Sequence, residues 1–167
     1  MNRTRTRLLL AMPVAATLVL AAGLGLYLIV HGLQGGDTTP ALTYDGLMSR
    51  LRAAGATVAP GDVIEQPFLA VRGRFLKVND TEVQVFEYPS VSAAAAEAAR
   101  VVPDGCAVGT AVHINWIAPP HFYRQGQVIV LVIGGGATLL NLLSSVLGPQ
   151  FAGARAEETE VPGPPCP

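Results

Sequence analysis

An unbroken run of 23 residues without a charged side chain, residues 8–30, constrains this 167-residue chain more than any other feature. Of those residues, 19 are hydrophobic. As a helix rising 1.5 Å per residue, the run reaches about 34 Å, enough to cross a hydrocarbon core of about 30 Å. Pro13, Gly23 and Gly25 do not forbid a span, because membrane helices tolerate both residue types. Tyr27 suits an interfacial anchor. Arg3, Arg5 and Arg7 precede the run, and no Lys or Arg follows it until Arg50, which orients the N-terminus toward the cytoplasm. The competing reading is a cleaved signal peptide ending near Ala21-Ala22-Gly23. Leu24, Leu26, Leu28, Ile29 and Val30 carry the apolar run past such a boundary and favour an uncleaved signal-anchor. The predicted organisation is a cytoplasmic n-region over 1–7, a transmembrane segment over 8–30 and a linker over 31–41. An extracytoplasmic domain over 42–151 and a disordered tail over 152–167 follow.

Half of the whole chain is hydrophobic, and much of that excess belongs to the membrane segment. The remainder has the composition of an ordinary globular domain. Residues 34–167 hold 8 basic and 12 acidic side chains, a net of −4. That balance argues against nucleic acid as a partner, since phosphate recognition needs a clustered cationic excess. The expected partners are the membrane, through residues 8–30, and an envelope protein.

Helical and extended periodicities alternate along the domain. Thr43 can cap a helix whose Tyr44, Leu47, Met48 and Leu51 follow i, i+3, i+4, i+7 spacing, with Gly55 as its stop. Strand-forming runs follow at 57–59, 63–71, 75–78 and 82–88, and Asn79-Asp80-Thr81 reads as the turn of a hairpin. Ser90 caps a second helix predicted to reach about Val102, and its alanine run allows close approach to a sheet. Strands are predicted again at 112–117 and 121–124. The run 128–133 is apolar at every position, which marks a central strand covered on both sides or one buried beneath helices. A third helix carries Leu139, Leu142, Leu143 and Val146 on one face and ends at Gly148-Pro149. The predicted fold class is α+β: a small two-layer domain, an antiparallel sheet with about three helices on one face.

Five phrases carry a family resemblance. They are Glu65-Gln66-Pro67-Phe68, Val83-Gln84-Val85-Phe86-Glu87-Tyr88-Pro89 and Pro103-Asp104-Gly105, with Ala118-Pro119-Pro120-His121-Phe122-Tyr123-Arg124 and Val146-Leu147-Gly148-Pro149-Gln150-Phe151-Ala152-Gly153. In them the chain resembles an uncharacterised family of small extracytoplasmic bacterial proteins, membrane-anchored or lipoprotein-like. The resemblance implies a location at the bacterial cell membrane and a fold for the domain. It brings no reaction, ligand or catalytic residue. This chain departs from the lipoprotein-like pattern in having no acceptor Cys near its N-terminus.

Candidate chemistry is sparse. Cys106 and Cys166 are the only cysteines; they could pair with each other, bridge two molecules or stay as free thiols. An internal bond would close about 60 residues and contribute about 4 kcal/mol by chain entropy. His113 and His121 match no recurring metal-ligand spacing, so no metal is expected. The Gly134-Gly135-Gly136 run lacks the remainder of a phosphate loop and reads as a tight turn, so no cofactor is expected either. No Ser, His and Asp arrangement stands in a nucleophile-elbow setting. If 121–124 is extended, Phe122 enters the core, and Trp116, His121, Tyr123 and Arg124 either form an aromatic, hydrogen-bonding interaction edge outside or, as the simpler and favoured reading, only cover the end of the sheet. The leading expectation is a non-enzymatic binding or assembly module of the cell envelope. A sensor or carrier of a small apolar ligand is the alternative, and an enzyme of unknown class ranks third.

Overall fold

A computed structural model describes residues 41–110, 114–154 and 166. The predicted membrane segment, the cytoplasmic arginines, the linker before Ala41 and His113 lie outside the described residues. Among the described residues no helix is long and apolar enough to cross a membrane. The chain divides between Pro40 and Ala41, and the unit that begins at Ala41 contains the domain.

The first helix, α1, spans Tyr44–Ala53. Thr43 caps it, its Oγ1 accepting from the Gly46 N–H at 3.2 Å, and Glu87 Oε2 accepts from the Tyr44 N–H at 3.0 Å. Two of the donors a helix start leaves open are thereby satisfied. At the other end Gly55 takes a φ of +89°, which lets the Ala56 N–H return to the Leu51 carbonyl at 3.0 Å.

Three strands follow: β1 (Val58–Ile64), β2 (Gly73–Val78) and β3 (Thr81–Glu87). The separate runs expected at 57–59 and 63–71 are therefore one strand, irregular between Pro60 and Val63, and then a loop. Pairing of Val78 with Thr81 closes the predicted hairpin around Asn79-Asp80. Asn79 has a φ of 53°, a left-handed conformation that asparagine tolerates in turns. The same residue secures the start of β1, since Asn79 Oδ1 accepts from the Thr57 N–H and the Asn79 N–H donates to the Thr57 carbonyl.

Ser90 caps α2 (Val91–Ala98), accepting from the Ala93 N–H at 3.1 Å. This helix stops short of the expected Val102. Val101 instead bridges Val108, and the Val102 N–H donates to the Ala107 carbonyl, so a tight turn built on Pro103-Asp104-Gly105 begins earlier. The strand predicted over 112–117 is not formed in its described part; residues 114–119 are a loop. Its Trp116 indole donates to the Gly105 carbonyl rather than lying beside a neighbouring strand. β4 (Pro120–Gln125), β5 (Val128–Ile133), α3 (Ala137–Leu147) and β6 (Ala152–Gly153) complete the unit.

The six strands form one sheet in the order β1-β2-β3-β5-β4-β6, with antiparallel pairing throughout. The α+β class holds. The two-layer arrangement with every helix on one face does not. Val128, Val130 and Val132 of β5 join a cluster with Leu47, Leu51, Leu139, Leu140, Leu143 and Leu147, so α1 and α3 cover that face. Ile129 and Leu131 point the other way, into a second cluster with Ala94, Ala98, Phe86 and Phe122. Successive side chains on a strand face opposite sides, so a run apolar at every position needs a cover on each. Here α2 and the flanking loops supply the second cover.

The domain boundary also moves. Ala152 and Gly153, expected to begin a disordered tail, pair with Phe122 and His121 as a sixth strand. Further along, Cys166 is bonded to Cys106, with their Cα atoms 5.5 Å apart. The two ends of the segment from Ala154 to Cys166 are thereby attached near one place, beside the 103–105 turn. Gly153 donates to the Pro103 carbonyl there.

Candidate functional site

The start of β4 gathers most of the residues that the sequence singled out. Alternation along the strand is as expected, with Phe122 opposite in direction to His121 and Tyr123. The solvent-facing edge is not formed, because both directions lead into packed material. His121, Phe122 and Tyr123 are 0%, 0% and 1% exposed. β6 lies along the outer side of His121 and Phe122, and Tyr123 packs in the cluster beneath α1 and α3. Of the four proposed edge residues, only Arg124 is exposed, while Trp116 is half-buried. His121 and Tyr123 therefore cannot present a surface to a partner.

Each buried side chain has a local role. Tyr123 Oη donates to the Leu140 carbonyl at 3.4 Å, joining β4 to α3. Burial pushes its phenol pKa above the ordinary value. His121 Nδ1 lies 3.0 Å from Gln150 Oε1, and Gln150 Nε2 in turn donates to the Ala154 carbonyl at 2.7 Å. His121 Nε2 is enclosed without a hydrogen-bond partner among the described residues. The histidine thus ties the segment after α3 to β4. Among the described residues no group of three His, Cys, Asp or Glu side chains could hold a metal ion.

A second polar group sits under α2. Glu97, 5% exposed, pairs with Arg100 one turn later. The Tyr88 hydroxyl nearby is buried without a hydrogen-bond partner among the described residues. Burial, reinforced by the Glu97 charge and opposed by Arg100, raises the Tyr88 pKa far above its ordinary value of 10.0. A phenol with its pKa raised this way is uncharged near pH 7. The third shifted phenol, Tyr44, is also raised mainly by burial; it donates to the Phe75 carbonyl and lies beneath the Arg74 guanidinium. These groups serve packing, and they do not converge on a common point.

Trp116 belongs to the α2 side of the sheet. Its ring meets Phe68 edge-on at 5.6 Å between centroids and Phe122 at 6.1 Å, and Phe122 meets Phe151 at 6.0 Å. The two Trp116 pairs have the edge-to-face geometry that aromatic rings favour, and the Phe122–Phe151 pair is tilted. The series links the loop after β1, the 114–119 loop, β4 and the approach to β6.

Next to Trp116 stands a residue that the sequence reading passed over. Ile117 is 95% exposed, the most exposed large hydrophobic side chain of the described residues. Its loop abuts the glycine turn, because the Gly134 N–H donates to the Pro119 carbonyl at 2.7 Å. That turn closes onto the α3 start, as expected of a tight turn. A sequence signal for this end exists: from Gly105 to Ala154, Arg124 is the only formally charged residue. Residues 41–104, by contrast, carry 8 acidic and 6 basic side chains. No protein-family model matches the chain, and no curated protein or solved structure matches it.

Proposed function

We propose that this chain is a membrane-anchored, extracytoplasmic binding module of the bacterial cell envelope, non-enzymatic and related to the small envelope proteins that its phrases resemble. The anchor reading rests on residues 8–30 and the arginines before them. The Cys106–Cys166 bond supports an oxidising compartment for the domain. The binding role rests on one observation: an almost fully exposed isoleucine in a loop without charge, on a domain whose other apolar residues are largely enclosed. A side chain this exposed is available to a contact, and removing it from water is worth about 1.5–3 kcal/mol.

Photocrosslinking in membranes tests the reading. A photoreactive residue placed at position 117 of the full chain is expected to capture an envelope component. The same group at Asp80, in the exposed hairpin turn, is expected to capture little. Equal capture from the two positions would sink the binding assignment, and release of the chain by alkaline carbonate would sink the anchor.

A further inference from the structure

We infer that the 114–119 loop docks the domain onto the lipid surface of the membrane that holds the chain, with Ile117 entering the headgroup–acyl boundary and Trp116 seated behind it. The inference rests on the anchored reading above and names the occupant of the same end of the domain. Ile117 projects alone: the next most exposed large hydrophobic is Val63 at 61%, on the distant edge strand β1. A stable interface between freely diffusing proteins needs about 800 Å² from each partner. One isoleucine falls far short of that. For a tethered domain the requirement is much smaller, because the tether supplies a high effective concentration at the bilayer. Removing a single isoleucine side chain from water then shifts the docked-to-undocked ratio about 10- to 100-fold.

The length of chain before the domain permits the geometry. Linker residues 31–41 reach about 35–40 Å when extended. The domain begins at the turn between β4 and β5, where the Gln127 N–H donates to the Leu42 carbonyl, while Ile117 lies beyond the opposite end of β4. A six-residue strand covers only about 20 Å, well within the reach of the linker. The chemistry of the loop agrees. Trp116 is half-exposed behind Ile117, and its N–H is already satisfied by Gly105, so it brings apolar ring surface to the contact without an unpaired donor. Asn115, Ala118, Pro119 and the adjoining glycine turn add no charge to be stripped of water.

Charge sets the lipid preference. Asp104 stands at the rim of this end, its carboxylate accepting from the Cys106 N–H, and the outer part of the chain is net acidic. Docking is therefore stronger on zwitterionic than on anionic headgroups, and added salt narrows the difference.

Trp116 is the only tryptophan in the chain, so its emission reports on this loop alone. The full chain is reconstituted into phosphatidylcholine vesicles whose acyl chains carry bromine, a contact quencher, and compared with unbrominated vesicles. Expected are loss of Trp116 emission with brominated lipid and recovery of most of it in Ile117→Asp, with unchanged near-ultraviolet circular dichroism. Vesicle flotation separates the two readings. A chain that floats while Trp116 stays unquenched overturns lipid docking and leaves the anchor standing; a chain that fails to float overturns both. Quenching that persists in Ile117→Asp overturns the role of Ile117. Capture of a protein rather than lipid by the photoreactive group at position 117 overturns the lipid as occupant.

Discussion

The two faces of the sheet are built by different means. Beneath α1 and α3 lies an aliphatic layer of leucines and valines; the α1 stripe is read directly from helical spacing, while α3 buries Leu140 and Leu147 more deeply than the expected Leu142 and Val146. Beneath α2 the cover is a two-turn helix of small residues, completed by loops. There the joints include two long-range ones, the Cys106–Cys166 bond and the edge-on contact of Trp116 with Phe68, beside the local Val101–Val108 bridge. A face made by periodic helices is stable by local design, while a face made by loops needs cross-links to hold its shape. The exposed Ile117 belongs to the second kind of construction, where a loop can carry an apolar residue outward without disturbing a helix.

The largest effect is expected in the aliphatic layer. Leu143 is fully buried, so Leu143→Ala should cost about 2–5 kcal/mol in urea unfolding. A loss below about 1 kcal/mol would mean that this face does not carry the domain. Next is Cys166→Ser, expected to cost about 2–4 kcal/mol. Its signature distinguishes the faces: amide hydrogen exchange should quicken around residues 101–108 while α1 and α3 keep relative protection. Uniform acceleration would show that the faces are coupled. The helix caps give a finer comparison. Thr43→Ala and Ser90→Ala should each cost about 1 kcal/mol, measured by thermal unfolding.

The smallest effect concerns Tyr88. At neutral pH, Tyr88→Phe removes a buried hydroxyl that has no partner among the described residues and should change stability by less than about 1 kcal/mol. Its alkaline effect is more informative. Because the folded pKa is raised above 10.0, the folded state retains the proton where the unfolded chain has lost it. Stability is thus intact below pH 10 and falls as pH rises above it. Tyr88→Phe should flatten that fall, leaving the weaker contributions of Tyr44 and Tyr123. An unchanged slope in alkaline unfolding would refute the assignment.

Local features proved legible where neighbouring residues decide the outcome. Thr43, Ser90 and Gly55 set helix ends through hydrogen bonds spanning a few positions, and Asn79-Asp80 closes its hairpin in the same way. The apolar run of β5 even signalled two covers, although the expected fold allowed helices on one face only. Alternation along β4 follows from the strand pleat, yet it carries no information about exposure. Knowing that His121 and Phe122 point apart does not reveal that β6, about 30 residues later, closes the edge outside them. Residues 114–117 do not form the strand expected over 112–117, because their apolar side chains fit either conformation and the Trp116 bond to Gly105 is not local.

By itself, the sequence determined an uncharged membrane-length run, the capped helices, the hairpin and an α+β domain, because spacing and short-range hydrogen bonding act within a few residues. Only the tertiary structure decided that α2 stands opposite α1 and α3, that His121 and Tyr123 are enclosed, that Cys166 meets Cys106 and that Ile117 is left in solvent. Those outcomes depend on which distant segments cover which surface. Burial is a property of the completed packing rather than of any single stretch of chain.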